Sequence, residues 1–150
     1  MTLTETLDEA ILLEEEVFSC YDFLSKITQD GAAEDIRKLA REERSHINVL
    51  ATGKNFVLRT PDLFGKETMP AAEIREGIKS ACRIRQDLEK KKITVHQALE
   101  RLSELEQKFE KIHMNTAVEF KDYSLKKLFE ALARADAEHR QRLERLVAQL

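Results

Sequence analysis

Residues 38–50, "KLAREERSHINVL", place a carboxylate and an imidazole on the side of a helix where apolar residues belong. Leu39 and Leu50 repeat at the period of an amphipathic helix, and Glu43 and His46 lie on their face. Acidic side chains are almost never fully buried without a partner. The stretch therefore predicts a helix whose core-facing side carries polar groups for a purpose other than packing.

The composition favours an all-helical protein. The chain has 150 residues, which suits one domain, 1–150, built around one core. Only four Gly and two Pro interrupt a sequence that is 42% apolar and 35% charged, so few positions break a helix. The net charge of −3 gives no electrostatic reason to expect a nucleic-acid partner.

The two cysteines and the N-terminal segment exclude other classes of protein. Cys20 and Cys82 are far apart and no C-x-x-C occurs, so a cysteine-based zinc or iron–sulfur centre and a secreted disulfide scaffold are not expected. The first residues are acidic and do not resemble a signal peptide, and no apolar run is long enough for a membrane. We expect a cytoplasmic protein without a membrane partner.

Apolar periodicity predicts four long helices and one connecting helix. Capping boxes at Thr6–Glu9 and Thr94–Gln97 mark two starts, and Gly31 is a candidate for a left-handed turn. The first hairpin is predicted to consist of helix 6–28 and a second helix that runs to about 52 and ends at Gly53. A connecting helix is opened by Thr68 and Pro70 and reaches about 91. The third helix starts at 94, and the fourth runs from the turn at 119–124 to the C-terminus.

Short turns make the helices of each pair antiparallel neighbours, and the segment 54–92 is long enough to recross the bundle. Residues 54–69 are predicted to be a loop. Two hairpins joined by one long crossover, which here contains an extra helix, give the ferritin-like four-helix bundle.

The two halves of the chain repeat the same pattern. "LAREERSH" (39–46) and "LARADAEH" (132–139) match at Leu, Ala, Arg and His. In the predicted helix before each of these segments, one acid interrupts the apolar face: Glu14 in the first half and Glu106 in the second. Positions 14 and 43 are equidistant from the first turn, and positions 106 and 136 from the second. The inward acids are therefore expected to lie level near the middle of the bundle.

Four converging carboxylates repel one another, and two divalent cations remove that cost. One Glu and one acid-x-x-His from each half form the recurring di-iron or di-manganese pattern of helical bundles. Carboxylate and imidazole donors suit iron or manganese, with zinc possible. The predicted ligands are Glu14, Glu43, His46, Glu106, Asp136 and His139.

Both halves resemble the rubrerythrin-like branch of the ferritin-like superfamily. Residues 9–21, "EAILLEEEVFSCY", match its first helix, 39–46 match its "L-A-x-x-E-x-x-H", and 98–113, "ALERLSELEQKFEKIH", match the second-half counterpart of the first helix. The resemblance implies two iron ions bridged by Glu43 and Asp136. It also implies an oxidoreductase of peroxidase or ferroxidase type, associated with oxidative stress, that reacts with hydrogen peroxide or dioxygen.

Three positions depart from that family. Asp136 stands where Glu is usual, His113 where Tyr is frequent, and Phe109 where rubrerythrins carry an extra Glu. No rubredoxin-like cysteine motif is present, so electrons are expected from an external donor. Tyr21 and His113 are predicted to be hydrogen-bond partners of the ligands, with His113 as an extra ligand the minor alternative.

Other acids near the predicted ligands are interpreted as solvated: Glu15, Glu16, Glu42 and Glu104. For Glu110 the sequence allows two positions: near the mouth of the site, or exposed to solvent. Two other functions also stay open: a non-catalytic iron-binding or buffering protein, and a helical interaction module with a degenerate metal site. The segment 54–92 could serve a partner or a homodimer interface, both in an oxidoreductase and in a non-catalytic iron-binding protein.

Overall fold

The structure, a computed structural model, describes residues 2–64 and 67–150, and within these ranges it is all-α without a β-strand. Its helices are α1 (Leu3–Ile27), α2 (Gly31–Arg59), a 3₁₀ turn (Pro61–Leu63), α3 (Ala71–Glu89), α4 (Val95–Glu119) and α5 (Tyr123–Gln149). None of the helices in the described part of the chain is both long and apolar enough to cross a membrane.

The start of α1 lies earlier than the predicted Thr6–Glu9 capping box. The Thr2 side chain accepts from the backbone N–H of Glu5, and the Glu5 side chain accepts from the backbone N–H of Thr2, which completes a capping box. Thr6 is buried within the helix, and its hydroxyl donates to the carbonyl of Thr2. The second predicted capping box, Thr94–Gln97, is confirmed at the start of α4.

The turn between α1 and α2 does not use Gly31 as predicted. Asp30 takes the positive φ of 68°, and Gly31 is the first residue of α2. With a ψ of −156°, Asp30 lies outside the left-handed helical region, in backbone space that residues other than glycine rarely adopt, and its side chain makes no capping hydrogen bond.

Helix α2 continues past Gly53 to Arg59, so the prediction that it ends at Gly53 is wrong, as is the predicted loop over 54–59. Gly53 is buried, and a Cβ there would meet the Leu128 side chain at 3.4 Å, so this glycine packs against α5. Val57 extends the buried face by one further turn. Gly65, also used to predict the loop, lies outside the described residues.

Each hairpin is antiparallel, as predicted. Lys54, near the end of α2, lies 2.5 Å from the carboxylate of Asp8, near the start of α1. In the second hairpin, Arg140 of α5 donates to Glu110 of α4 at 2.7 Å.

Helix α3 recrosses the length of the bundle. It runs parallel to α1, because Arg75 pairs with Glu9 and, ten residues further on, Arg85 pairs with Glu16. It then reverses into α4, where Asp87 accepts from Arg101 at 2.9 Å. Because α3 packs on both α1 and α4, it covers the side of the bundle between them.

Candidate metal centre

The six predicted ligands come together in the interior of the bundle, between the helices. Each is at most 4% exposed, and His113, at 3%, joins them. The structure takes Glu14 from α1, Glu43 and His46 from α2, Glu106 and His113 from α4, and Asp136 and His139 from α5. The interior of the bundle is thus polar at its centre and apolar above and below.

In the part of the chain that the structure describes, three overlapping groups of ligand atoms could each hold a metal ion, with the atoms of a group within 4.8 Å of one another. The groups are Glu14, His113 and Asp136; Glu14, Glu43 and His46; and Glu43, Glu106 and His139. Glu14 and Glu43 belong to two groups each, whereas Asp136 belongs to one. The resemblance implied Glu43 and Asp136 as bridges, and the geometry favours Glu43 and Glu14 as the shared carboxylates.

His46 lies among carboxylates without being hydrogen-bonded to them. Its Nδ1 is 3.8 Å from Glu14, 3.7 Å from Glu43 and 3.6 Å from Asp136. Burial alone would lower the pKa of this imidazole, but the carboxylates of Glu14, Asp136 and Glu106 raise it to about 9.

His139 makes closer contacts than His46. Its Nε2 lies 3.1 Å from an oxygen of Glu43, 3.1 Å from one of Glu106 and 3.2 Å from the Tyr21 hydroxyl. The Tyr21 hydroxyl donates to Glu106 at 3.2 Å. Burial opposes the charged form of His139, but Glu106 and Glu43 raise its pKa well above the ordinary value. Tyr21 therefore lies within hydrogen-bonding distance of two of the predicted ligands, Glu106 and His139.

The outer nitrogen of His139 contacts a residue that the sequence analysis assigned to solvent. Its Nδ1 lies 3.0 Å from Glu42, whose carboxylate also accepts two hydrogen bonds of 2.8 Å from Arg142. The prediction of a solvated Glu42 is therefore wrong. Arg142, one turn after His139, was the sequence feature that could have indicated a buried partner for Glu42. The contact of Glu42 with His139 and Arg142 depends on how α2 packs against α5, which the sequence does not specify.

The pKa values of two neighbouring carboxylates, Glu43 and Glu14, are shifted in opposite directions. Burial raises the pKa of Glu43 well above its ordinary value, and the neighbouring charges of Glu106 and Glu14 add to that shift. Burial would raise the pKa of Glu14 too, but interactions with Glu43 and His46 bring it to about 2. Without metal, the centre therefore holds protons where cations would otherwise balance its charge.

His113 and Asp136 form a direct contact through Nδ1 and Oδ2. Burial opposes ionisation of both, and their mutual attraction raises the pKa of His113. Asp136 thereby sits with Glu14 and His113, although its sequence position is level with Glu106. Its shorter side chain and the His113 contact account for this grouping.

The remaining acids lie outside the centre. Glu110 pairs with Arg140, so it belongs to a partly exposed ion pair. Glu16 pairs with Arg85 and is only 21% exposed, so its predicted solvation is wrong. Glu15 and Glu104 are exposed, as predicted.

The donor atoms fit metal cations. Within the described residues, seven buried atoms of the cluster make no hydrogen bond of acceptable geometry: both carboxylate oxygens of Glu14 and of Glu43, and one atom each of His46, Glu106 and Asp136. Buried polar atoms are normally satisfied, because leaving one without a partner costs about 1–3 kcal/mol. All seven are carboxylate oxygens or imidazole nitrogens, which are common metal ligands, and they lie together in the interior of the bundle.

Comparison with known proteins gives no assignment. No protein-family model, no curated protein and no solved structure matches this chain.

Proposed function

We propose that this chain is a di-metal carboxylate protein of the ferritin-like, rubrerythrin-like type, with two iron ions, that reduces hydrogen peroxide or dioxygen with electrons from an external donor. The observation that carries the proposal is the convergence of four buried carboxylates and three buried imidazoles, among which seven buried ligand-type atoms lack a hydrogen bond.

Charge supports two ions rather than one. Four carboxylates balance two divalent cations, and a neutral imidazole adds a ligand without adding charge. A mixed oxygen and nitrogen donor set suits iron or manganese and does not favour calcium. Glu14, Glu43, His46, Glu106, Asp136 and His139 would hold the ions, with Glu14 and Glu43 placed to be shared between them.

A pair of ferrous ions would support the proposed reaction. Two ferrous ions would supply the two electrons that, with two protons, convert hydrogen peroxide to two water molecules. The chain would contribute a dry interior and fixed donors. Glu42 would hold the proton on Nδ1 of His139, which leaves Nε2 to face the centre.

The first experiment measures metal. Protein from iron-supplemented cells, or protein reconstituted anaerobically with ferrous iron, is expected to carry about two metal ions per chain, and Glu15→Ala is expected to retain them. Glu43→Ala is expected to lose both ions. Wild-type protein that carries no metal and takes up none on reconstitution would contradict the di-metal proposal.

The second experiment separates an oxidoreductase from an iron buffer. The reconstituted ferrous protein receives a pulse of hydrogen peroxide, and its optical spectrum is followed. Oxidation at least about tenfold faster than that of free ferrous iron under the same conditions is expected. A protein that binds two ions but oxidises no faster than free iron would be a metal-binding protein without the proposed activity.

A further inference from the structure

We infer that His113 is a metal ligand that, with Glu14 and Asp136, holds one ion of the pair, while Glu43, Glu106 and His139 hold the other. The inference rests on the proposed di-metal function and deepens it. It assigns Asp136 to the ion of Glu14, although the sequence repeat would place it with Glu106 and His139.

The position of His113 supports a ligand function. Its side chain is 4% exposed, its Nδ1 contacts Asp136, and it forms with Glu14 and Asp136 a group whose donor atoms lie within 4.8 Å of one another. Donors on one ion at about 2.2 Å lie within about 4.4 Å of each other, so adjustments of a few tenths of an ångström suffice.

Only one pair of the three donor groups has no residue in common. The group of Glu14, His113 and Asp136 and the group of Glu43, Glu106 and His139 are disjoint. Each contains two carboxylates and one imidazole, so each neutralises one divalent cation. Two ions placed there receive two carboxylates each. The third group takes Glu14 from one ion and Glu43 from the other, which makes these two the carboxylates that can be shared between the ions.

The contacts of Asp136 agree with this division. Its ion-pair neighbours are His113 and His46, while those of His139 are Glu42, Glu43 and Glu106. The second oxygen of Asp136 is buried without a hydrogen bond, which leaves it available to an ion. His46, 3.8 Å from Glu14 and 3.6 Å from Asp136, is a further nitrogen donor to the same ion.

The division also explains why an aspartate serves at position 136. An aspartate is one methylene shorter than a glutamate and reaches less far from the helix. With an imidazole from α4 beside it, the ion needs only one carboxylate from α5 and one from α1. His113 thus supplies the donor that completes a three-helix site.

The test counts imidazole ligands in the cobalt(II)-substituted protein. Imidazoles bound to paramagnetic cobalt give strongly shifted N–H proton resonances, one for each bound ring that retains its N–H. Wild-type protein with two cobalt ions is expected to show three such signals, from His46, His113 and His139. The wild-type count needs no substitution, so it does not depend on whether a variant folds.

The matched variants are His113→Gln and His96→Gln, since His96 is the remaining histidine and is exposed. Cobalt titration followed by visible absorption is expected to show one ion weakened about tenfold or more in His113→Gln, with one shifted N–H lost, and no change in His96→Gln.

The outcomes separate the two proposals. Two bound cobalt ions with fewer than two shifted N–H signals, or a His113→Gln protein that keeps every wild-type signal or wild-type affinity for both ions, would overturn the His113 assignment and leave the di-metal proposal standing. Wild-type protein that binds no cobalt and no iron would overturn both.

Discussion

A carboxylate of α2, Glu42, lies 3.0 Å from Nδ1 of His139 on α5, with the imidazole directed past it into the centre of the molecule. Glu42 is anchored in turn by two hydrogen bonds from Arg142. Burial would raise the pKa of Glu42, but His139 and Arg142 bring it to about 2, so the group is ionised at neutral pH. When an ion takes the place of the proton on Nε2, Glu42 therefore keeps the remaining proton of His139 on Nδ1.

Glu42→Ala is accordingly expected to weaken metal binding without removing a ligand. Loss of such an outer carboxylate typically lowers metal affinity by about 10–100-fold. The effect should fall on the ion held by His139, and competition with a metal-sensitive dye measures it. Glu104→Ala is the control, because Glu104 is an exposed acid near Glu106. An equal loss of affinity in both variants would contradict the function given to Glu42.

Glu43→Gln is expected to stabilise the metal-free protein while it abolishes binding of both ions. The pKa of Glu43 is raised well above its ordinary value, so at pH 7 folding requires this carboxyl to take up a proton that the unfolded chain releases. Glutamine has nearly the same shape and no such cost. We expect a gain of about 1–3 kcal/mol at pH 7, measured by urea unfolding.

The gain from Glu43→Gln should disappear below about pH 4, where the carboxyl is protonated in both the folded and the unfolded chain. Glu15→Gln, at an exposed position of α1, should change the unfolding free energy by less than about 0.5 kcal/mol. A destabilised Glu43→Gln protein at neutral pH would mean that Glu43 is ionised and compensated in the absence of metal.

The hairpins and the inward acids could be predicted because both depend on local rules. Helical periodicity determines which face of a helix carries Glu14 or Glu43, and equal distances from a short turn set their level. Both rules operate within one hairpin, and the structure brings these side chains together.

Features that depend on contacts between separate segments were not predicted. The pairing of Glu42 with His139 depends on the approach of α2 to α5, and the grouping of Asp136 with His113 depends on side-chain length and rotamer. Gly53 has the sequence signature of a helix end, but its contact with Leu128 keeps it inside α2. None of these follows from the spacing of residues along one helix.

The metal-free protein is expected to lose stability as the pH rises from about 6.5 to 9. The pKa of His46 is raised from 6.5 to about 9 in the folded state, so the stabilisation it provides is fully present below pH 6.5 and is lost as the pH rises through 9. The slope contributed by one such proton is at most about 1.4 kcal/mol per pH unit. Thermal unfolding of the metal-free protein across this range measures it.

Metal binding should have the opposite pH dependence, because the ion must displace protons from His46, His139 and Glu43. Affinity should therefore rise with pH over the range in which metal-free stability falls. His46→Gln should flatten the stability profile, and His96→Gln should leave it unchanged. A metal-free profile that rises between pH 6.5 and 9 would contradict the charged state of His46.

Two buried glycines provide a matched test of how α3 packs over the centre. A Cβ at Gly77 would meet the side chains of Leu13 and Phe109 at 3.1 Å, whereas a Cβ at Gly53 would meet only Leu128, at 3.4 Å. Both positions lie inside helices, where Ala is favoured over Gly by about 0.5–1 kcal/mol. At Gly53 the higher helix propensity of Ala should stabilise the protein, because the added Cβ would make an ordinary van der Waals contact with the half-buried Leu128.

Gly77→Ala should instead destabilise the protein, since Leu13 and Phe109 are themselves buried and have little room to move. Overpacking of this kind costs about 1–3 kcal/mol, which exceeds the gain in helix propensity. With a shift of about 2–4 °C per kcal/mol for a chain of this size, Gly53→Ala should raise the melting temperature and Gly77→Ala should lower it. If Gly77→Ala were as stable as Gly53→Ala, α3 would not be closely packed on α1 and α4, and the covered side of the candidate metal centre would be open.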